Sequence, residues 1–146
     1  MKTIFHTPDN ASGIRCFGGS MQFLISHGQS NGWLMAGMLT APPDNGPPIH
    51  IHRGEDEILT VLDGRFAFFA DGVWTEGGPG TSVYLPRNQP HAFRNVGTTT
   101  GKLHLLANSA GLEAFFQQCE EPFHRTDGPD METITAIAAA HGIEFV

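Results

Sequence analysis

The chain has 146 residues, and 8 Lys and Arg against 15 Asp and Glu give it a formal net charge of −7. This acidic balance argues against sequence-independent nucleic-acid binding, and a hydrophobic content of 40% excludes a disordered chain. No segment approaches the roughly 18 consecutive apolar residues of a membrane span, and no secretory signal is evident. We therefore expect a cytoplasmic protein with no nucleic-acid or membrane partner. Histidine is the anomaly, because its 8 residues equal Lys and Arg combined.

Segments rich in β-branched, aromatic and aliphatic residues dominate the first two-thirds of the chain, with turn-forming residues between them. Asp63-Gly64 and Asp71-Gly72 are hairpin signals, because a type I′ turn needs two residues at positive φ. Many short strands at this spacing predict an antiparallel all-β sandwich or barrel. The predicted strands are 21–26, 33–40, 49–52, 57–62, 65–70, 73–76, 81–85, 91–96 and 102–107.

The last third of the chain has helical periodicity instead. Residues 111–120 and 131–140 predict two helices, the second with Asp130 as its N-cap. Helices this short need tertiary support, so we expect them to pack on the barrel. The length suits one domain over residues 1–146, with a barrel over about 14–108 and a helical segment over about 110–146.

Two histidines and a glutamate form the first chemical pattern. His50 and His52 are two residues apart, so a strand places both imidazoles on one face, close enough to share one ion. The four polar residues after His52 indicate a turn, after which Glu57 begins the next antiparallel strand and can face back toward the histidines. The other acids of this turn, Glu55 and Asp56, are expected to be solvated.

A fourth candidate ligand is His91, which begins a strand after a connection made rigid by Pro86 and Pro90. An isolated histidine is more often a satisfied polar residue than a ligand. A His-x-His pair, a carboxylate beyond a turn and a third histidine at a later strand are together much more specific. Imidazole and carboxylate suit a divalent transition metal, namely Fe, Mn, Co, Ni, Cu or Zn.

The segment HIHRGEDEILTVLDG resembles the first motif of the cupins, H-x-H-x(3,4)-E-x(6)-G, and GTSVYLPRNQPHAFRN resembles their second, G-x(5)-P-x-G-x(2)-H-x(3)-N. Two positions depart from the motifs. Asp44 stands where the first motif begins with Gly, and Asn88 replaces the Gly after the second-motif proline. Asn adopts left-handed backbone geometry more readily than most residues, and Gly46 could take over the turn near Asp44. The matching residues are His50, His52, Glu57, Gly64, Gly80, Pro86, His91 and Asn95.

This resemblance, which extends to the quercetin-dioxygenase-like branch of small cupins, implies a double-stranded β-helix (jelly-roll) barrel. It implies a divalent metal held by His50, His52, Glu57 and His91, and Glu57 as the base that takes a substrate proton. The implied activity is a dioxygenase acting on a small, flat, hydroxylated molecule. The alternatives are an isomerase or lyase acting on a hydroxy-ketone or sugar acid, and a non-catalytic binding protein.

Small cupins usually form dimers, so we expect a homodimer, with a strand such as residues 21–26 pairing with the second subunit. Strand parity and residue type also predict a substrate pocket, although each of its residues could equally be barrel core. An apolar, aromatic lining around an ion suits a flat organic substrate better than a polyanion. The pocket candidates are Trp33, Leu59, Phe66, Phe68, Tyr84, Phe93 and His104.

Overall fold

The computed structural model describes residues 2–7, 9, 12–108 and 110–146, and within these ranges it has eleven strands and two helices. Both helices lie in the last third of the chain, as predicted. The strands are β1 (Ser12–Cys16), β2 (Gly19–Ile25), β3 (Met35–Ala41), β4 (His50–His52), β5 (Glu57–Asp63), β6 (Phe66–Ala70), β7 (Val73–Gly77), β8 (Ser82–Leu85), β9 (Ala92–Asn95), β10 (Gly101–Ala107) and β11 (Ile143–Phe145). The helices are α1 (Ala110–Phe123) and α2 (Met131–Ala140).

The largest sheet has six strands in the order β1-β2-β3-β10-β5-β8, and each neighbouring pair is antiparallel. Strand β2 has β1 on one side and β3 on the other. The expectation that residues 21–26 pair with a second subunit is therefore wrong, because both edges of that strand are already hydrogen-bonded. The edge strands of this sheet are β1 and β8.

Two smaller sheets complete the barrel, with the orders β7-β6-β9 and β11-β4. Asp71 and Gly72 join β6 to β7 with φ values of 51° and 80°, so the predicted hairpin is confirmed. Asp63-Gly64 instead leads from β5 into β6, which belong to different sheets. Gly64 has a φ of 87°, but the hairpin predicted there is wrong, because this turn carries the chain from one sheet to the other.

The core lies between the sheets and follows the two-residue period of the strands. In β10, Leu103 and Leu105 are buried, Lys102 is exposed, and His104 and Leu106 are half-buried. Their buried neighbours across β5 are Val61 and Leu59 at the same registers. Burying this apolar surface supplies the main stabilisation of the barrel.

The helices pack on the barrel, as expected. Helix α1 buries Leu112, Phe115, Phe116 and Cys119 on one face. In α2, the Asp130 Oδ1 atom accepts a hydrogen bond from the Thr133 amide at 3.0 Å, which confirms the predicted N-cap. An all-β barrel with two C-terminal helices is thus confirmed. Neither helix is both long and apolar enough to cross a bilayer, a finding limited to the described part of the chain.

Candidate metal centre

Three strands bring the predicted ligands together. His50 and His52 lie on β4 with their side chains on one face, and Glu57 is the first residue of β5. His91 precedes β9 and pairs with His50 through two backbone hydrogen bonds of 3.0 and 2.9 Å. Strands β4 and β5 belong to different sheets, so the prediction that Glu57 begins an adjacent antiparallel strand is wrong. The turn between them still brings the Glu57 carboxylate to the histidines, as the spacing predicted.

The four side chains form one buried cluster. Their potential ligand atoms all lie within 4.8 Å of one another. The Glu57 Oε2 atom is 3.1 Å from His91 Nε2 and 3.6 Å from His52 Nε2. The His50 ring centroid lies 4.9 Å from that of His52 and 4.5 Å from that of His91. These distances allow one ion to contact all four residues.

Hydrogen bonds fix the orientation of each imidazole ring. The Nδ1 atoms of His50 and His91 lie 2.8 and 2.9 Å from the carbonyl oxygens of Pro48 and Gln89. A carbonyl only accepts, so both Nδ1 atoms carry the proton and both Nε2 atoms keep a lone pair. The third imidazole, His52, has its Nδ1 atom 2.8 Å from a carboxylate oxygen of Glu55.

Electrostatics favour a neutral imidazole and an ionised carboxylate here. Burial, together with the nearby His52 and His91, lowers the pKa of His50 to about 3. Burial would raise the pKa of Glu57, but the three histidines outweigh it and lower that pKa to about 2. Burial also opposes charge on His52, but the Glu57 and Glu55 carboxylates outweigh burial and raise its pKa. At neutral pH, Glu57 is therefore an anion and His50 is uncharged.

This donor set fits a divalent transition metal. Three imidazoles and one carboxylate are the ligand types that these ions take in proteins. With Nδ1 protonated, the His91 Nε2 lone pair faces the Glu57 carboxylate at 3.1 Å. Two electron-rich atoms at that separation repel unless a positive charge lies between them, and either a proton on the imidazole or a shared metal ion can provide it. Each of His50, His52, Glu57 and His91 could hold the ion through a side-chain atom.

Glu55 differs from its sequence prediction. We expected it to be solvated in the turn, and this is wrong: the residue is 1% exposed. Its neighbour Asp56 does face the surface, where it accepts hydrogen bonds from the Arg87 side chain at 3.0 Å. Nothing in the local sequence separates these two acids, because they differ in their contacts with other side chains: Glu55 meets His52, whereas Asp56 meets Arg87.

A small cavity of about 50 Å³ adjoins the cluster. Its walls are mainly apolar, and among the described residues no Lys or Arg lines it. One part of the wall comes from the barrel and the other from the C-terminal segment, 110–146. The apolar lining residues are Cys16, Phe17, Leu39, Ala41, Pro47, Leu59, Phe93 and Leu105 of the barrel, and Leu112, Phe115, Phe116, Ile143 and Phe145 of the C-terminal segment.

Only some of the residues predicted to line a pocket do line the cavity. Leu59 and Phe93 line the cavity. Trp33 and Tyr84 lie outside it, with 78% and 60% of their surface exposed. Tyr84 pairs with Ile58 on the outer face of the six-stranded sheet, whereas its neighbour Leu85 points into the core. Trp33 precedes β3, so strand parity does not apply to it.

The other pocket candidates do not line the cavity. Phe66 and Phe68 are buried in the core of the three-stranded sheet and do not border the cavity. His104 is half-buried, and its partners across the sheet are Thr60 and Met38. It alternates with the inward-facing Leu103 and Leu105, so it belongs to the outer face.

Sequence reasoning missed the C-terminal wall of the site. Strand β11 pairs with β4, so that Ile143 lies opposite His52 and Phe145 opposite His50. The Phe145 ring centroid lies 6.2 Å from that of His50. A strand of three residues is too short to show periodicity, so no signal in the sequence points to this pairing.

The backbone also accommodates both departures from the family motifs. Asp44 and Asn88 adopt left-handed φ values of 60° and 68°, which are accessible to Asp and Asn. Gly46 is required for a different reason. A Cβ atom there would lie 1.9 Å from the carbonyl oxygen of Phe93, so the close approach of the two chains needs a glycine.

Residues 37–107 match the family model of the cupin domain. The match covers just under half of the chain. All four candidate ligands and both motifs fall within the matched range, and the barrel has the mostly β cupin fold with two C-terminal helices added. No curated protein in the comparison matches the chain.

Solved structures share the cupin fold at low sequence identity. A predicted oxalate decarboxylase from Thermotoga maritima is 20% identical, with a TM-score of 0.67 over 73% of this chain and 99% of that one. An RmlC-like cupin from Shewanella frigidimarina is 22% identical, with a TM-score of 0.63 over 75% and 93%. The polyketide cyclase RemF from Streptomyces resistomycificus is 22% identical, with a TM-score of 0.61 over 73% and 79%. These proteins share the fold but are described by different activities or families, so the reaction of this chain must be argued from its site.

Proposed function

We propose that this cupin is a metal-dependent dioxygenase of the quercetinase-like type, acting on a small, flat, hydroxylated organic molecule. The observation that carries the proposal is the buried cluster of three imidazoles and one carboxylate beside an apolar cavity. A divalent metal held there would act as a Lewis acid that stabilises a substrate enolate or phenolate.

Glu57 is the proposed base for the substrate hydroxyl. Its pKa is lowered to about 2, so the carboxylate is ionised at neutral pH and free of its own proton. It lies at the junction of the cluster and the cavity, where a substrate oxygen would approach. The Nδ1 atoms of the three histidines lie against other acceptors, so the protons on those atoms do not reach the Glu57 carboxylate.

The lining of the cavity restricts the substrate. Without Lys or Arg among its described lining residues, the cavity offers no cationic side chain to a phosphate or a second carboxylate. This favours a neutral molecule that becomes anionic only on losing its hydroxyl proton. The cavity of about 50 Å³ is also smaller than the roughly 150 Å³ that holds benzene in an engineered core. An aromatic substrate would therefore have to displace part of the wall.

The test begins with the metal. Elemental analysis identifies the ion in the purified protein, and metal-free protein is then reloaded separately with Fe(II), Mn(II), Ni(II), Co(II), Cu(II) or Zn(II). Oxygen consumption is measured with a panel of catechols and flavonols. We expect uptake that depends on a redox-active metal, and zinc, which has no redox cycle, is expected to give none.

The matched variants are Glu57→Gln and Glu120→Gln, the same change in the cluster and at an exposed helical position. We expect Glu57→Gln to lose activity more completely than metal, and Glu120→Gln to behave like the wild type. Native turnover by a metal-loaded Glu57→Gln protein would remove Glu57 as the base. Conversion of a hydroxy-ketone without oxygen uptake would establish the isomerase or lyase alternative. A protein that binds no metal and gains no activity from any would be a binding protein.

We also propose a homodimer in the cytoplasm. Free thiols at Cys16 and Cys119 support a reducing compartment. The outer face of the six-stranded sheet carries exposed apolar side chains, including Ile58 and Tyr84, which support an interface there. Light scattering that gives the mass of one chain at micromolar concentration would contradict the dimer.

A further inference from the structure

Glu55 is a buried carboxylate that is not part of the ion cluster but contacts one of its candidate ligands, His52. The Glu55 side chain has no exposed surface, and its Oε1 atom lies 2.8 Å from His52 Nδ1. Its other oxygen, Oε2, is buried as well, and none of the described residues forms a hydrogen bond with it. Burying a carboxylate costs free energy unless its charge is compensated, so the burial of Glu55 points to a functional role.

The three imidazoles are therefore anchored in two different ways. His50 and His91 point their Nδ1 atoms at backbone carbonyls, whereas His52 points its Nδ1 atom at a carboxylate. An ionised carboxylate can only accept, so it keeps the proton on Nδ1 and leaves the Nε2 lone pair toward the cluster. A charged acceptor also strengthens the imidazole as a donor to a metal more than a carbonyl does.

We propose that Glu55 is a positioning residue that holds His52 in the Nδ1–H tautomer and raises the affinity of the cluster for a divalent metal. This rests on the metal-binding part of the proposed function and not on oxygen chemistry.

The test uses two variants of the whole chain, Glu55→Gln and the control Glu120→Gln. Gln has the shape of Glu, but its amide can donate to Nδ1 as well as accept from it, so the tautomer is no longer fixed. Long-range ¹H–¹⁵N spectra of metal-free protein report which ring nitrogen of His52 carries the proton. Titration with Co(II) alone then gives the dissociation constant, and the cobalt absorption bands report the coordination.

At a pH alkaline enough to leave the His52 ring uncharged, we expect wild-type and Glu120→Gln proteins to show His52 as the Nδ1–H tautomer. Glu55→Gln is expected to show the other tautomer or a mixture, with Co(II) bound about 10- to 100-fold more weakly and altered absorption bands. Unchanged tautomer and affinity in a folded Glu55→Gln protein would overturn the proposal. If that variant does not fold, the wild-type spectrum decides, because an Nε2–H tautomer of His52 would also overturn it. A wild-type protein with the expected tautomer that binds no divalent metal would refute the proposed function and, with it, the role of Glu55 in affinity.

Discussion

The barrel and the C-terminal segment contribute different things to the same site. The barrel supplies every candidate ligand, from β4, β5 and the residue that precedes β9. The C-terminal segment supplies none of them, but α1 and β11 form much of the apolar wall, and β11 is the hydrogen-bonding partner of β4. The candidate ligands thus come from two compact motifs, whereas much of the apolar wall comes from residues 112–145, which follow both motifs in the chain.

This difference teaches that ligand identity and ligand environment are separable here. The ligands follow from strand periodicity, which acts over a few residues. The wall depends on the docking of a helical segment, so its loss should alter stability and access while the donor atoms remain. Each of the following experiments tests that separation.

The largest effect is expected in the barrel, from His91→Ala. It removes a donor and leaves Glu57 facing one ligand fewer, so binding of Co(II) at equimolar concentration should become undetectable by absorption. The matched control is His104→Ala, which removes a half-buried histidine from the outer face of the same barrel. Equal losses in the two variants would show that the cluster has no special role in binding metal.

The next largest effect is expected in the C-terminal segment, from Ile143→Ala. Ile143 is 2% exposed, so its truncation should lower the free energy of unfolding by about 2–4 kcal/mol. Val146→Ala, at a residue that is 67% exposed, is the control and should change little. Urea denaturation measures both. A loss in Ile143→Ala no greater than in the control would mean that β11 is not packed as described.

A smaller effect is expected at high pH from Cys16, which lies where the barrel meets the cavity. Burial, and then Cys119, raise the pKa of its thiol to about 12. The thiolate forms in the unfolded chain first, so the stabilising contribution is complete below about pH 9 and is lost as the pH rises toward 12. Between pH 8 and pH 10, this loss should be about 1 kcal/mol. In Cys16→Ala, the fall in urea stability over that interval should be smaller; an identical fall would rule out this thiol as its cause.

The smallest effect is expected from Glu144→Gln, at the surface where the two regions meet. Glu144 accepts two hydrogen bonds from the Arg53 side chain, of 3.0 and 2.7 Å, but both side chains are nearly half exposed. Exposed ion pairs are screened by water and salt, so its destabilisation should be smaller than that of Ile143→Ala and should shrink as salt is added. A loss of unfolding free energy that is as large as that of Ile143→Ala and independent of salt would show that the pair is shielded from solvent.

Local periodicity explains how much could be predicted. The arrangement of His50, His52 and Glu57 depends on one strand, one turn and the start of the next strand, all within eight residues. The fold class and Asp130 as the N-cap of α2 were predictable for the same reason.

Features that depend on distant contacts could not be predicted. Glu55 and Asp56 are adjacent acids, but Glu55 is buried against His52, whereas Asp56 binds the distant Arg87 and Asn108. The direction of a strand residue also depends on which face meets the core, which is why Tyr84 lies outside the cavity. Phe145 lies near His50 because β11 docks on β4. Strand β11 has only three residues, which is too short for a periodicity that would predict this docking.

The pairing of β4 with β11 also has a consequence for biosynthesis. His52 leaves the ribosome about 90 residues before Ile143, its partner across the two strands. At about 5–20 residues per second, the ligand strand waits for several seconds or longer without its neighbour. During that interval, the nascent chain presents two of its histidines on an unpaired strand. The enclosed centre can therefore form only late in synthesis, and a metal captured earlier would be held at a site still open to exchange.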